Sequence, residues 1–359
     1  MLSTRGLCQL TLTTVVALFP LVALAWNPRG HQEVGAVADH LIVGSHAQQW
    51  VEFLLHGRNL QTVSVWPDCA RAVKSNDDGT FTYHDNPQHT DCVVFSDPQD
   101  VQRFESFVAR NWKQCGTAHG TEYCHQQYHY ADVSNLRDHY QIDYVGANDH
   151  DVVHAINAAI AVLRGQAPAA PFSIADKQEA LILLTHYVGD LHQPLHAAAL
   201  YLDANGQVID PDISGYKLGN DTAGGNYILD NTKNLHSEWD APPASPVDFN
   251  DQLTQLLSLA KQIHTTPGDI RNWPTAWATD SIQISHQAFA GLHFSMRPAA
   301  SANVERMPEK WDVSGIDANY QARADAIKMQ QLAKAGARLA QLLESIWPDD
   351  QALPPDAAK

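Results

Sequence analysis

The sequence predicts a mainly α-helical protein that folds as a single domain with long connecting loops. Apolar residues recur at three- and four-residue spacing in several segments, which is the period of amphipathic helices. The length of 359 residues and the hydrophobic fraction of 44% support a large core. No internal repeat or domain linker is visible, so we expect one domain over residues 26–347 and a loose Pro/Asp/Ala tail at 348–359.

The first 25 residues have the pattern of a secretory signal peptide. Arg5 supplies a positive charge, residues 10–24 are mostly apolar, and ALA at 23–25 has the small-x-small form of a cleavage site. The apolar run is short for a membrane span, and no later segment is long and apolar enough to serve as one. We therefore expect a secreted or periplasmic protein without a membrane span, whose mature chain begins at Trp26.

Long polar stretches separate the predicted elements in the N-terminal half of the mature chain. Residues 26–60 begin WNPRGH and continue into a helical pattern. The short segment VSVWPDCAR follows and ends at Arg71. Residues 72–128 are rich in Asp, Asn, Gln and His, with helical spacing only near 99–113, so we interpret them as a disulfide-tied insertion. Residues 129–150 are loop-like.

The C-terminal half is predicted to be mostly helical. Asp151 and Gly165 supply a start and a stop signal for one helix. The Gly/Asp/Asn-rich residues 203–226 interrupt the pattern as a loop or hairpin. The remaining segments with helical character are 151–165, 173–193, 233–240, 251–264, 273–292 and 318–347.

Four cysteines remain once Cys8 leaves with the signal peptide. An even number of cysteines in an exported protein indicates two disulfides. Three pairings are possible, and the one we prefer closes two short loops; a cysteine-ligated zinc is less well supported, because no C-x-x-C pair is present. The preferred pairs are Cys69 with Cys92 and Cys115 with Cys124.

The composition is acidic and rich in histidine. A net charge of −17 does not attract phosphate backbones at long range, so binding of nucleic acid would require cations or a local basic patch. The 19 histidines nearly match the 23 lysines and arginines in number. Because histidine is the commonest metal ligand in proteins, this composition favours a metal-binding protein.

The densest metal-ligand pattern lies in THYVGDLHQPLH, residues 185–196. His186 and Asp190 are four residues apart, so on a helix their side chains lie one turn apart on the same face. Pro194 ends that helix and lets the chain return His196 to the same region. The alternative is an amphipathic helix whose buried polar residues are satisfied by ordinary hydrogen bonds.

A second pair with the same four-residue spacing makes the alternative less probable. His236 and Asp240 repeat the imidazole–carboxylate arrangement in NLHSEWD. Imidazole and carboxylate without thiolate suit zinc in a hydrolytic site. His192 points away from His186 by helical spacing, and we interpret it as a surface residue or as a neighbour of the ligands.

The ordered motifs WNPRGH, WPDCAR, YHYAD, HYVGDLHQPLH, GGN and NLHSEWD resemble the S1/P1 nuclease family, which includes mung bean nuclease. The resemblance covers most of residues 26–240. It implies a helical fold of the type shared with zinc-dependent phospholipase C, three zinc ions, and hydrolysis of single-stranded DNA and RNA together with 3′-nucleotidase activity. It also implies that a hydroxide bridging two zinc ions attacks phosphorus, since metal ions lower the pKa of bound water.

The resemblance also implies a ligand set for each zinc. The first would bind Asp68, His129, His186 and Asp190. The second would bind the amino and carbonyl groups of Trp26, His31 and the other oxygen of Asp190. The third would bind His196, His236 and Asp240.

Further residues at positions that match the family motifs receive expected roles. Arg71 would stabilise charge on the phosphoryl oxygens, and Asp132 would lie beside the nucleophile. Tyr130 would stack on a base and Asn226 would hydrogen-bond one. Because stacking requires an unpaired base, this arrangement accounts for the expected preference for single strands.

The sequence departs from the family pattern between the first two ligands. Asp68 and His129 are 61 residues apart, where the family has roughly fifteen, and His84 and His89 lie nearer that spacing. We choose His129, because YHYAD and the helix that follows match the family context. The insertion 72–128 thus falls between two ligands, and it puts substrate specificity in doubt.

Two other functions are compatible with these residues. Zinc-dependent phospholipase C shares the fold and the three-zinc plan, but those enzymes tend to have Glu where this chain has Asp240, and the GGN loop also favours the nuclease. A zinc-scavenging or adhesin-like protein is the alternative that is not an enzyme, and Arg71 and Asp132 argue against it. We expect a monomer that acts on single-stranded nucleic acid and nucleotides.

Overall fold

A computed structural model describes residues 26–85, 89–112, 115, 123–231, 233–243, 248–297, 310–350 and 352. The predicted signal segment and most of the C-terminal tail lie outside these ranges. The described chain is mainly helical, as predicted. Its α-helices are α1 Pro28–Leu41, α2 His46–Leu55, α3 Leu60–Val63, α4 Trp66–Ala70, α5 Pro98–Arg110, α6 Cys124–Gln127, α7 Val152–Leu163, α8 Lys177–Leu191, α9 Pro194–Ala197, α10 Pro211–Ser214, α11 Leu235–Asp240, α12 Phe249–Ala260, α13 Trp273–Phe289 and α14 Tyr320–Ile346.

Helix α8 lies at the centre of the protein. The side chain of Asp176 accepts a hydrogen bond from the Glu179 amide and caps its first turn. Every residue from Glu179 to Leu191 is buried, because α1, α4, α7 and α14 pack around the helix. Such all-round burial explains why its sequence is apolar on more than one face. The helix ends at Leu191, two residues before the end predicted at Gln193 and three residues before Pro194.

Two hydrophobic clusters flank the central helix. The larger one joins α1, α2, α5, α7, α8, α12, α13 and α14, and the apolar residues Ile327, Leu332, Leu339 and Leu343 of α14 lie within the two clusters. The smaller one joins the end of α13 and the beginning of α14 to a sheet. Within the described parts of the chain, none of the helices has the length and apolar character that crossing a membrane requires.

The sheets are short, and the sequence did not predict them. Four strands form one sheet in the order β6-β5-β8-β7, with β5 parallel to β8. The residues that we assigned to one helix at 233–240 begin as strand β6, and only α11 is helical. The strands are β1 Val73–Ser75, β2 Phe81–Tyr83, β3 Val133–Ser134, β4 Ala198–Ala199, β5 Ile228–Asp230, β6 Lys233–Asn234, β7 Leu292–Met296 and β8 Trp311–Ile316.

The insertion 72–128 packs on the turn that precedes it. It contains the β1–β2 hairpin, a 3₁₀ helix at Thr90–Phe95 and α5. Trp66 of α4 lies against Phe104 of α5, with 4.8 Å between ring centroids. The structure has the disulfides Cys69–Cys92 and Cys115–Cys124, which is the pairing preferred from the sequence. The first disulfide therefore joins the insertion to α4.

Candidate metal centre

Five of the candidate ligands meet in one buried cluster at the C-terminal half of α8. Oδ2 of Asp190 lies 2.9 Å from His129 Nδ1 and 3.2 Å from His186 Nε2, whereas Oδ1 lies 3.3 Å from His31 Nε2. Asp68 approaches from α4, with Oδ1 3.8 Å from His186 Nε2. The two oxygens of Asp190 thus face different histidines, as a carboxylate that bridges two metal ions requires.

Three histidines have their ring orientation fixed by backbone carbonyls. Nδ1 of His186 lies 2.6 Å from the Ser64 carbonyl, and Nδ1 of His236 lies 2.8 Å from the Gly224 carbonyl. Nδ1 of His196 likewise lies 2.9 Å from the carbonyl of His129. Because a carbonyl only accepts, we assign the N–H to Nδ1 in each ring, which leaves Nε2 available as a ligand.

The assignment has a consequence for the second cluster, which consists of His196, His236 and Asp240. Nε2 of His196 lies 3.0 Å from Nε2 of His236, and Oδ1 of Asp240 lies 3.9 Å and 3.6 Å from these two nitrogens. Two nitrogen lone pairs at this distance repel each other unless a proton or a cation lies between them. The donor set of two imidazoles and one carboxylate matches that of an open zinc site.

Several buried polar atoms of the first cluster lack hydrogen bonds. Neither ring nitrogen of His31 and neither carboxylate oxygen of Asp68 has a hydrogen-bond partner among the described residues. The same holds for Oδ1 of Asp190. Buried polar groups are normally paired, so these atoms require another partner. Their chemistry and their convergence fit a divalent cation better than they fit ordinary core packing.

The electrostatics of the first cluster also favour a cation. Burial alone would raise the pKa of Asp190, but His186 and the hydrogen bonds from its histidine neighbours hold it well below the usual value. Burial lowers the pKa of His129 to about 4. The pKa of His186 is raised despite burial, because Asp190 and Asp68 lie beside it. The two carboxylates therefore stabilise positive charge at this position, which a metal ion would supply.

The second cluster differs in its charge balance. Burial lowers the pKa of His236 to about 3 and also lowers the pKa of His196. Burial raises the pKa of Asp240 well above its usual value. Burial therefore disfavours the charged form of each of these side chains, and a metal ion that binds there requires the ionised form of Asp240.

Two glycines allow backbone segments to approach the ligands. Gly224 has φ +58°, and a Cβ atom there would lie 2.5 Å from the Leu195 carbonyl oxygen and 3.1 Å from Nδ1 of His236. A Cβ atom on Gly189 would lie 3.0 Å from Nδ1 of His31. These positions let the GGN loop reach His236 and let α1 lie directly against α8.

Trp26 is buried at the start of the described chain, beside both clusters. Its indole Nε1 donates to the Gly189 carbonyl at 2.9 Å, one residue before Asp190. The next amide, that of Asn27, donates to the Asp240 carbonyl at 2.9 Å. Trp26 and Asn27 thus contact the elements that bear the candidate ligands of both clusters.

The four other candidate residues lie around the ligands. Nη1 of Arg71 lies 3.5 Å from Oδ1 of Asp68. Asp132 is buried, and its carbonyl accepts a hydrogen bond from Tyr201 at 2.7 Å. Tyr130 is half-buried and follows His129 directly. Asn226 is half-buried, with Nδ2 donating to the Ala223 carbonyl at 2.8 Å in the loop that contacts His236.

The structure separates the histidines that the sequence analysis compared. His129 lies in the first cluster, whereas His84 is exposed at the end of the β1–β2 hairpin. His192 is not a surface residue: it is buried, its Nδ1 lies 2.7 Å from the Val188 carbonyl, and its Nε2 lies 2.9 Å from Arg338. Sequence reasoning missed Gln193, which donates to Asp240, although its place in HQPLH was a signal.

Comparison with known proteins agrees with this geometry. The sequence profile of the S1/P1 nuclease family matches residues 26–348. The chain belongs to the S1/P1 nuclease family. A relative named Endonuclease 1, from Arabidopsis thaliana, is 26% identical over 188 residues, which are 49% of this chain and 52% of that protein. The chain thus spans about half the length of this relative.

Proposed function

We propose that this member of the S1/P1 nuclease family is a secreted phosphodiesterase with three zinc ions, which hydrolyses single-stranded DNA and RNA and removes 3′-phosphates from nucleotides. The observation that carries the proposal is the pair of clusters in which imidazole nitrogens and carboxylate oxygens converge, the first of which contains buried polar atoms without a hydrogen-bond partner among the described residues. Family membership supports the nuclease activity.

The proposed ligands divide into a close pair of zinc ions and a third, separate ion. Asp190 would bridge the pair, since its two oxygens face different histidines. The amino group of Trp26 would complete the site of His31, which requires cleavage after Ala25. The two disulfides fit an exported protein. The third ion would bind the second cluster, which is formed by His196, His236 and Asp240.

The chain's own residues would bind and orient the phosphate. When bound, zinc supplies positive charge and acidifies water for attack on phosphorus. Arg71, which contacts Asp68, is placed to donate to the phosphoryl oxygens as they gain charge. The carboxylate of Asp132 would accept a hydrogen bond from the attacking water, and Tyr201 keeps this residue in place through its carbonyl. No side-chain nucleophile is needed.

Specificity for unpaired bases would come from Tyr130 and Asn226. An aromatic ring can stack only on a base that is not already stacked in a duplex, and such stacking contributes about 1–3 kcal/mol per base. The carboxamide of Asn226 lies in the GGN loop next to His236, so a base bound there would lie near the third zinc.

The test is a substrate panel with purified mature protein that begins at Trp26. Single-stranded DNA, duplex DNA, RNA, 3′-AMP and phosphatidylcholine are incubated with the protein, with and without a chelator. We expect hydrolysis of single-stranded DNA, RNA and 3′-AMP, which the chelator abolishes and added zinc restores. Hydrolysis of phosphatidylcholine alone would instead identify a phospholipase C, and zinc binding without hydrolysis of any substrate would identify a zinc-binding protein.

A further inference from the structure

Gln193 occupies the turn between α8 and α9, between the two groups of candidate ligands. Its side chain is buried, and its Oε1 accepts a hydrogen bond from the amide of Leu195 at 2.6 Å. Since a backbone N–H can only donate, this contact fixes which end of the carboxamide is the oxygen. Nε2 must then point the other way, where it donates to Oδ1 of Asp240 at 2.8 Å.

The accepting atom is the oxygen of Asp240 that faces the histidines of the second cluster. Oδ1 lies 3.6 Å from Nε2 of His236 and 3.9 Å from Nε2 of His196. A carboxylate oxygen has two lone pairs, so it can accept from Gln193 with one and still bind a cation with the other. A hydrogen bond of this kind fixes the rotamer of a ligand, and mutation of such a partner typically lowers metal affinity by about 10- to 100-fold.

The turn itself has little freedom to move. Ser281 of α13 donates to the Leu191 carbonyl at 2.6 Å, and Gln331 of α14 donates to the His192 carbonyl at 2.9 Å. Both donors are buried. Helices α13 and α14 therefore fix the backbone immediately before Gln193. The hydrogen bond from Gln193 in turn fixes the Asp240 carboxylate relative to this backbone.

We propose that Gln193 is a positioning residue of the third zinc site, which orients the Asp240 carboxylate towards His196 and His236. This inference rests on the proposed function, because it assumes that the second cluster binds zinc. It gives Gln193, the second residue of HQPLH, a role in orienting a zinc ligand, whereas His196 of the same motif is itself a ligand.

The test compares two substitutions of amide by carboxylate. Gln193→Glu keeps the shape and can still accept from the Leu195 amide, but it presents an oxygen to Asp240 in place of a donor. Gln341→Glu makes the same chemical change at a half-buried residue of α14 whose Nε2 donates to the Ile263 carbonyl at 3.0 Å, outside this turn. Gln193→Ala removes the side chain without burying a second charge.

Zinc content by mass spectrometry and zinc affinity by chelator competition are the measurements. We expect Gln193→Glu and Gln193→Ala to weaken binding of one zinc out of three by about 10- to 100-fold. Excess zinc should restore the activity of Gln193→Ala. Gln341→Glu should lower thermal stability but keep three zinc ions of wild-type affinity.

The inference is overturned if both Gln193 variants keep three zinc ions with wild-type affinity, or if neither folds whereas Gln341→Glu does. In the second case Gln193 is required for folding and not specifically for the metal site. Failure of the proposed function is distinct, because wild-type protein would then lack three zinc ions or would not cut single-stranded nucleic acid.

Discussion

The Cys69–Cys92 disulfide joins the insertion to the turn that bears Asp68, and its removal should affect both stability and zinc binding. The bridge closes a loop with a sequence separation of 23 residues. Loop-closure entropy for that length corresponds to about 3.4 kcal/mol of stability at 25 °C. We therefore expect Cys69→Ala/Cys92→Ala to lower the unfolding free energy of the metal-free protein by about this amount.

The effect on zinc follows from the shortness of α4. Asp68 is next to Cys69 in this five-residue helix, and the other main contact of the helix with the insertion is Trp66 against Phe104 and Phe107. Without the disulfide, the packing of Trp66 remains, but no covalent cross-link joins α4 to the insertion. Zinc affinity of the pair of sites in the first cluster should fall by about tenfold, comparable to loss of a group that orients a ligand.

The Cys115–Cys124 disulfide provides a control in the same chain. Its sequence separation of 9 residues corresponds to about 2.6 kcal/mol. Cys124 lies one turn before His129, but His129 is held independently, since its carbonyl accepts from His196 at 2.9 Å. Cys115→Ala/Cys124→Ala should therefore lose stability but keep wild-type zinc affinity.

Denaturant unfolding of the metal-free protein and chelator competition measure the two quantities. Unchanged zinc affinity in Cys69→Ala/Cys92→Ala would refute the argument that the disulfide positions Asp68. A stability loss below about 1 kcal/mol would refute the loop-closure estimate. Equal losses of zinc affinity in both double variants would show that the effect comes from general destabilisation.

Three other predictions concern the ligands directly. His186→Ala and Asp190→Asn should each remove zinc and activity together, whereas His139→Ala, a change at an exposed histidine, should affect neither; full activity in either ligand variant would contradict the assignment. An extra residue before Trp26 in the mature protein should weaken the buried zinc pair, because its amino group would become an amide; unchanged metal content would rule out the amine as a ligand. Burial raises the pKa of Asp240 and zinc requires its ionised form, so zinc affinity of the second cluster should fall as pH falls. Calorimetric titration of zinc into metal-free protein at several pH values measures this dependence, and an affinity that does not change with pH would contradict the expected competition between zinc and the proton.

The ligand-bearing elements could be predicted because their spacing obeys local rules. The four-residue spacing of His186 and Asp190 fixes their common helix face, and Pro194 fixes the helix end, whatever the rest of the chain does. The choice of His129 over His84 depended on neighbouring sequence, and the position of His129 in the first cluster agrees with it.

Features that depend on contacts between distant segments could not be predicted in this way. The strands of the β6-β5-β8-β7 sheet are short, and β5 pairs with β8 across more than eighty residues. His192 has the helical spacing of a residue that points away from the ligands, but Arg338 and Trp277 cover it from α14 and α13. The hydrogen bond of Gln193 to Asp240 likewise joins residues 47 apart.

The most direct test of three zinc sites is anomalous diffraction at the zinc absorption edge from crystals of the mature, zinc-loaded protein. We expect three peaks. Two should flank Asp190, one of them next to His31 and the other next to His129 and His186. The third should lie among His196, His236 and Asp240. Fewer than two peaks at Asp190, or no peak in the second cluster at full zinc loading, would contradict this expectation.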